Sequence, residues 1–421
     1  MLMIVTAVVN AGDQHGIQLK EPDGVLSLIQ ALQLAYQYNP ELAVYEGAIQ
    51  AGEARIIQAR LLPNPELSAE AENVWGRDAY QSFDGAESTL TIDQPLELGG
   101  KRSKRTSLAD TERYLAEWDY KSQRLELAVE VTKSFIGVLA GQQRLKVKGE
   151  IVHVAENFAA AVTARVEAGK VSPIEQTSAE IRVANARNAM MQAEKRLQGE
   201  RKRLATLWGN PDPIFTEAVG ELEAITPPPL LEALVELLPQ NPRLARWEME
   251  AAQREARYAL ERSYRFPDLT LSGGLRYFSE TDTGAFVVGL GIPLPIFNRN
   301  QGSIIEARLH QELVSEEKRV EEMRIQRDLA DTYQVLKGTY ETAVSLREQI
   351  LPAAQSALQL VEEGYRQGKF GYLYVLEAQR TLFEAREQEV DTLAAFHTAM
   401  AMMEKLTGES ISTLRAWKTE Y

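Results

Sequence analysis

The chain has 421 residues, 44% of them hydrophobic, and no cysteine, so disulfides, thiolate metal sites and cysteine nucleophiles are excluded and a lipid-bearing N-terminal cysteine is not expected. Forty-six basic residues face 60 acidic ones, giving a net charge of -14, the wrong sign for a nucleic-acid partner, which needs clustered positive charge. No window reaches the ~18–20 uninterrupted apolar residues of a membrane-spanning helix, so any membrane segment must be β.

Residues 1–25 read as a tail. Residues 1–9 are apolar and small residues follow up to Gly12, but there is no basic stretch before them; a remnant of a secretion signal and an ordinary disordered tail both fit. Beyond it lies a duplication. Asn39-Pro40 recurs as Asn241-Pro242, and Asn64-Pro65-Glu66-Leu67 recurs as Phe266-Pro267-Asp268-Leu269 at the same spacing; Ala168-Gly169-Lys170 and Leu207-Trp208-Gly209 recur as Gln367-Gly368-Lys369 and Leu406-Thr407-Gly408 at a spacing three residues shorter. Self-similarity on that scale constrains architecture more than any short motif. The spacing change belongs between these landmarks, most naturally in a loop between strands.

In the first repeat, 26–209, the periods predict a short helix over 26–38 and a second over 40–60 that stops at Pro63 and Pro65. A two-residue alternation follows over about 67–75 and 88–96, where Thr89, Thr91 and Asp93 alternate with Leu90, Ile92 and Gln94: a hairpin. Residues 101–167 hold no proline and predict one helix, roughly 100 Å long at ~1.5 Å per residue. Residues 169–173 break it, and a return helix over about 174–208 carries Val183, Met190, Leu197 and Leu204 at seven-residue spacing, with Ala186, Ala193 and Leu207 three positions on: a coiled-coil seam.

Residues 210–229, with Pro211, Pro213, Pro227, Pro228 and Pro229, predict an extended connector. The second repeat, 230–408, repeats the order: strands over about 269–278 and 285–292 with a shorter loop, a long helix over about 303–366 interrupted by Pro352, and a return helix over about 372–406. Leu382, Phe396 and Met403 keep its seam, and Glu389 breaks it once. Residues 409–421 read as a second tail.

Four short strands cannot close a barrel, whose smallest membrane examples have about eight, and open strand edges are not tolerated in lipid. Such chains must pair edges until the sheet closes; three would supply twelve strands, each feeding a helix through corners at Pro95, Gly99 and Gly100 and at Pro293 and Pro295. The fold class expected is mainly α with a small β part: duplicated coiled-coil hairpins on a trimeric membrane β-barrel.

These features resemble the TolC-type outer-membrane efflux proteins over almost the whole chain. More narrowly, Leu61-Leu62-Pro63-Asn64-Pro65-Glu66-Leu67 and Gln94-Pro95-Leu96-Glu97-Leu98-Gly99-Gly100-Lys101-Arg102 look like the CzcC-like heavy-metal cation branch. The resemblance implies a passive homotrimeric channel in the outer membrane of a Gram-negative bacterium, its helices in the periplasm, served by a periplasmic adaptor and an inner-membrane transporter of the RND type. It places the adaptor at the helix turns, around Arg165, Gly169, Ser172, Tyr365, Gly368 and Gly371. Plain helix termination accounts for Gly169 and Gly368 equally well. The family often carries an acid three residues after the tip serine; Glu175 keeps it after Ser172, whereas Tyr374 stands at the matching place after Gly371. Three copies of Glu175 would make a cation-attracting constriction, against the plainer reading of a solvated carboxylate at a helix N-terminus.

No catalytic residue, cofactor or metal site is expected. His15, His153, His310 and His397 never fall at i, i+3 or i+4. Met190, Met191, Met400, Met402 and Met403 read as core. Gly273-Gly274 and Gly289-Leu290-Gly291 lack the spacing of phosphate loops and suit a strand bend. Two alternatives stay open: a duct for drugs or secreted polypeptides, and a coiled-coil scaffold outside the membrane, against which the four strands weigh.

Overall fold

The computed structural model describes residues 20–408; both stretches read as termini, 1–19 with the signal-like segment and 409–421, lie outside the described residues. The elements run β1 (Val25–Ser27), α1 (Leu28–Tyr38), α2 (Pro40–Ala59), β2 (Glu66–Glu72), β3 (Glu87–Leu96), α3 (Lys101–Glu167), α4 (Pro173–Thr206) and β4 (Glu217–Val219). They continue with α5 (Leu231–Val235), α6 (Pro242–Ser263), β5 (Leu269–Phe278), β6 (Thr283–Gly291), α7 (Gln301–Ser345), α8 (Leu351–Arg366) and α9 (Tyr372–Thr407). Between α7 and α8 the helix takes one π turn, Leu346–Ile350, directly before Pro352. Proline has no N–H to return to the carbonyl four residues back, and the wider turn absorbs the mismatch without breaking the helix.

The described residues fall into two compact units that cut across the repeats: 20–44, 121–244 and 321–408 in the first, 45–120 and 245–320 in the second. Each unit draws on both halves of the chain.

In the first unit the repeated Asn-Pro acquires a physical role. Asn39 accepts from Leu42 N at 2.9 Å, capping α2, and donates to Leu207 O at 2.8 Å; Asn241 accepts from Arg243 N at 2.8 Å and donates to Leu406 O at 2.9 Å. In each repeat one asparagine starts a helix and ties it to the end of that repeat's return helix. The core gathers Leu234, Ile325, Leu329, Leu336, Phe396 and Met403 in one cluster and Ile136, Val147, Leu222, Val390 and Leu393 in another. Pairs between α3 and α9, Arg144 with Asp391, Lys148 with Glu387 and Glu150 with Arg386, fix the sliding register of the two helices.

Three readings of the sequence need correction here. Helix α1 starts at Leu28, because residues 25–27 form a strand that pairs in parallel with β4, and Ser27 with Gln30 closes a capping box. The connector 210–229 is therefore built into the fold. Buried Glu21, within the stretch read as a tail, accepts from Trp208 Nε1, Asn210 Nδ2, Ile214 N and Phe215 N, while the Gln142 amide both donates to and accepts from the Ala218 backbone. Third, Met190, Met191 and Met402 are exposed; Ala186, Ala193, Leu197 and Leu204 make the buried line of α4, and of the five methionines only Met403 is fully buried, with Met400 packed against its cluster.

Candidate functional site

The second unit contains one four-stranded antiparallel sheet, ordered β2-β3-β5-β6, with β2 and β6 as its edges. Directly paired residues share a face and faces alternate along a strand, so the register sorts the side chains. Leu67, Ile92 and Val288 share one row with Gly273, and Leu90, Leu275 and Phe286 share the next with Ala69. With Leu271, Tyr277 and Leu290 they make an apolar face, all of it exposed, Phe286 to 88% and Val288 to 81%.

The opposite face holds every carboxylate of the sheet: Glu66, Glu70, Glu72, Glu87 and Asp93. Arg276, the only basic residue among the described residues of the sheet, lies on that face as well. It donates to Thr89 Oγ1 at 2.8 Å and Glu87 Oε2 at 2.9 Å and reaches Glu72 at 3.3 Å, while Asp93 accepts from Ser68 at 3.0 Å and Thr91 at 3.3 Å. Charge excess on this face is therefore acidic. Gly274 is required by the sheet itself, since a Cβ there would lie 2.1 Å from Leu90 O.

At one end of the sheet the two corners differ. In the first, β3 runs through Pro95, which lies beyond the end of β2's pairing, and the chain turns through Gly99 and Gly100, both at φ +71. A side chain at Gly99 would also strike the Phe266 ring. Arg105 grips Glu97 through two bonds, 2.6 and 3.2 Å, and donates to the carbonyls of Ala59 and Leu61; Lys101 meets Asp268 at 2.7 Å, and Asp268 accepts from Leu98 N as well. The two quoted motif stretches thus meet around one arginine, and Gln94 adds a bond to Pro63 O at 3.0 Å. The second corner, residues 292–300 with Pro293 and Pro295, relies instead on Asn300, at φ 57, whose amide bonds the backbone and side chain of Glu261.

The helix turns lie in the first unit. Gly169 and Gly368 take φ +67 and +75, and Lys170 N and Lys369 N reach back to Arg165 O and Gly364 O, the backbone closure that a left-handed glycine permits. Gly371 keeps an extended backbone, φ -81, as the N-cap of α9, and Ser172 caps α4 by accepting from Ile174 N at 3.3 Å. The structure brings Arg165, Tyr365 and Glu175 together: Arg165 donates to Tyr365 O at 2.5 Å and lies 4.3 Å over its ring, and the Tyr365 hydroxyl donates to Glu175 at 3.1 Å. Burial, reinforced by the Glu175 carboxylate, pushes the Tyr365 phenol up to about 12. Phe158, Val162, Ala179, Val375 and Tyr372 complete the cluster.

Arg105, Arg276 and Phe158 escaped the sequence reading, while Asp268 stood in it only as a landmark of the repeat. Only Arg276 left a signal, as a lone cation in a strand. Among the described residues no group of three His, Asp or Glu side chains could hold a metal ion, and no helix is long and apolar enough to cross a membrane.

A family profile described as "Outer membrane efflux protein" matches residues 31–210 and 233–409. The chain belongs to the outer membrane efflux protein family. It is 36% identical over 389 residues to the cobalt-zinc-cadmium resistance protein CzcC of Cupriavidus metallidurans, covering 92% of this chain and 91% of that one. It is 25% identical to the cation efflux system protein CusC of Escherichia coli O157:H7, over 78% of this chain and 74% of the relative. Among solved structures, CusC superposes with a TM-score of 0.78 at 18% identity, covering 91% and 92% of the two chains, and VceC of Vibrio cholerae with 0.74 at 19%, covering 91% and 96%. The structures speak for the fold, a long-helix body with a small sheet; the sequence relatives place the chain in the CzcC-like branch.

Proposed function

We propose that this chain is the outer-membrane channel of a tripartite efflux system and passively conducts divalent heavy-metal cations from the periplasm to the exterior. The observation that carries the reading is the sheet: apolar on one face, carboxylate-rich on the other, and open at both edges. An apolar face suits lipid, an acidic face suits a cation path, and open edges force assembly, because unpaired strand backbone in lipid costs several kcal/mol per group. Three copies joined β6 to β2 make a twelve-stranded barrel with the carboxylates lining its lumen. CzcC, the relative that is 36% identical, is named for cobalt, zinc and cadmium resistance, which supports the cation class.

In this reading the helical part stands in the periplasm, the turns around Arg165, Gly169, Ser172, Tyr365, Gly368 and Gly371 meet an adaptor, and an RND-type transporter supplies the substrate. Three copies of Glu175 form an acidic constriction there; its place at the turn and its bond from Tyr365, which fixes the carboxylate's position, support that role. The test is growth of cells lacking the chain across graded cobalt, zinc, cadmium, nickel, copper and silver beside dyes and detergents. Sensitivity confined to certain metals is expected. Sensitivity only to organic compounds would keep the channel and remove its metal substrate.

A further inference from the structure

The second corner is apolar where a connecting loop has no reason to be. Leu294, Ile296 and Phe297 stand exposed, Phe297 to 91%, on a segment that is held stiffly. Pro293 and Pro295 fix its backbone, Ile296 N bonds Leu294 O at 2.9 Å, Arg299 Nε donates to Pro295 O at 3.0 Å, and the Gln301 amide bonds both Phe297 O and Arg299 N. Rigid apolar anchors lose little entropy on docking.

Strand order says where these anchors go. The pairs β2–β3, β3–β5 and β5–β6 are all antiparallel, so β6 runs opposite to β2, and the chain leaving β6 emerges at the same end of the sheet as the chain entering β2. Glu66 at the start of β2 and Gly289 near the end of β6 stand in one row through Asp93 and Ser272. Joining β6 of one copy to β2 of the next continues the alternation and brings residues 292–300 beside residues 60–65 of that copy. There Leu61 and Leu62 are exposed, on the rim of a groove of about 600 Å³ that also takes in Pro63, Leu108, Leu260 and Tyr264.

We infer that Leu294, Ile296 and Phe297 of one copy dock on Leu61, Leu62 and Pro63 of the next, forming an apolar clasp directly below each intersubunit strand seam. The inference rests on the barrel reading above and adds to it a contact outside the hydrogen-bonded edges. The clasp fixes which edges meet: only β6 carries the anchors and only β2 is preceded by the receiving leucines, so neither edge can pair with its own kind and keep the contact.

The chain has no cysteine of its own, which makes crosslinking unambiguous. Full-length chains carrying Phe297→Cys and Leu62→Cys, one substitution each, are co-expressed, purified as assemblies and treated with a short bifunctional maleimide. Leu294→Cys and Leu61→Cys form the second pair. Covalent dimers are expected when both partners of a pair are present and not with either chain alone. Assemblies of trimer mass in which neither pair crosslinks overturn the clasp while leaving the barrel standing, and would turn Phe297 towards lipid. A chain that stays monomeric in detergent overturns both. Phe297→Ser should lower the temperature at which the assembly dissociates while leaving strand content unchanged; dissociation at the wild-type temperature would also count against the clasp.

Discussion

The two repeats share a backbone plan and differ in the side chains that secure it. At the helix turns both use a left-handed glycine, Gly169 or Gly368, yet the first repeat caps its return helix with Ser172 and places Glu175 after it, whereas the second uses Gly371 and Tyr374. Where the first repeat has Val166, the second has Tyr365, which fills the centre of the cluster and holds Glu175 of the other repeat. At the corners the first repeat is locked by ion pairs and the second by prolines and one asparagine. Backbone requirements common to both halves stayed alike, and the side chains diverged where the halves meet each other.

That comparison can be broken most sharply at Tyr365. Tyr365→Ala removes a buried aromatic and should cost about 3–5 kcal/mol of stability at the turns, read as hydrogen exchange of α8 and α9; Val166→Ala, at the matching place, should cost about 1–2 kcal/mol. Equal effects would mean that the halves share the turn evenly. Next in size, Arg105→Ala strands Glu97 and two carbonyls and should cost about 2–3 kcal/mol of the unfolding free energy, against about 1–2 for Asn300→Ala at the other corner.

Smaller still, Tyr365→Phe keeps the packing, loses the bond to Glu175 and should cost about 1 kcal/mol at neutral pH. The same phenol gives a pH test. Its folded pKa of about 12 lies above the ordinary tyrosine value of about 10, so the protonated form is favoured in the folded state. Its contribution is whole below pH 10 and is lost as the pH rises from there through about 12. Wild type should lose turn protection over that window more steeply than Tyr365→Phe; parallel curves would show that the hydroxyl is not held as described.

The smallest effect is expected at Glu389, where the seam of the second repeat is interrupted. Burial raises its carboxyl above the ordinary range, with Arg347 and Arg386 opposing the rise and Glu223 adding to it. A raised folded pKa means that this group's contribution falls as pH climbs through it, so Glu389→Gln should slightly raise the unfolding temperature at neutral pH and lose that advantage as the pH falls into the ordinary carboxylate range. His397 acts in the opposite sense. Its pKa is lowered by burial against the bond to Leu222 O, so its contribution is present above pH 6.5 and fades as the pH falls below that value.

Local physics made much of this legible in advance. An uninterrupted run without proline dictates a long helix, and α3 is Lys101–Glu167; the alternation of Thr89, Thr91 and Asp93 with Leu90 and Ile92 dictates two unlike faces, and β3 has them. What stayed hidden depends on partners distant in sequence. Strand β1 has three residues and exists because β4, nearly half the chain away, pairs with it over a buried Glu21. The exposure of Met190 and Met191 follows from which side of α4 its neighbours occupy, which heptad spacing alone leaves open. Arg105 reads as one more charge near a helix start until Glu97, Ala59 and Leu61 converge on it. The repeat spacing was also subtler than one loop: the first hairpin loop, 73–86, is longer than 279–282, but the second corner, 292–300, is longer than 97–100 and offsets half of the difference.

The central claim is that the carboxylate face of the sheet lines a cation path, and the most direct measurement is the reversal potential of the purified channel in a planar bilayer under a salt gradient. Wild type should be cation-selective, and a variant with Glu66, Glu70 and Asp93 changed to Gln, Gln and Asn should shift the reversal potential clearly towards zero with the conductance retained. An unchanged reversal potential in that variant, or anion selectivity in the wild type, would contradict the account.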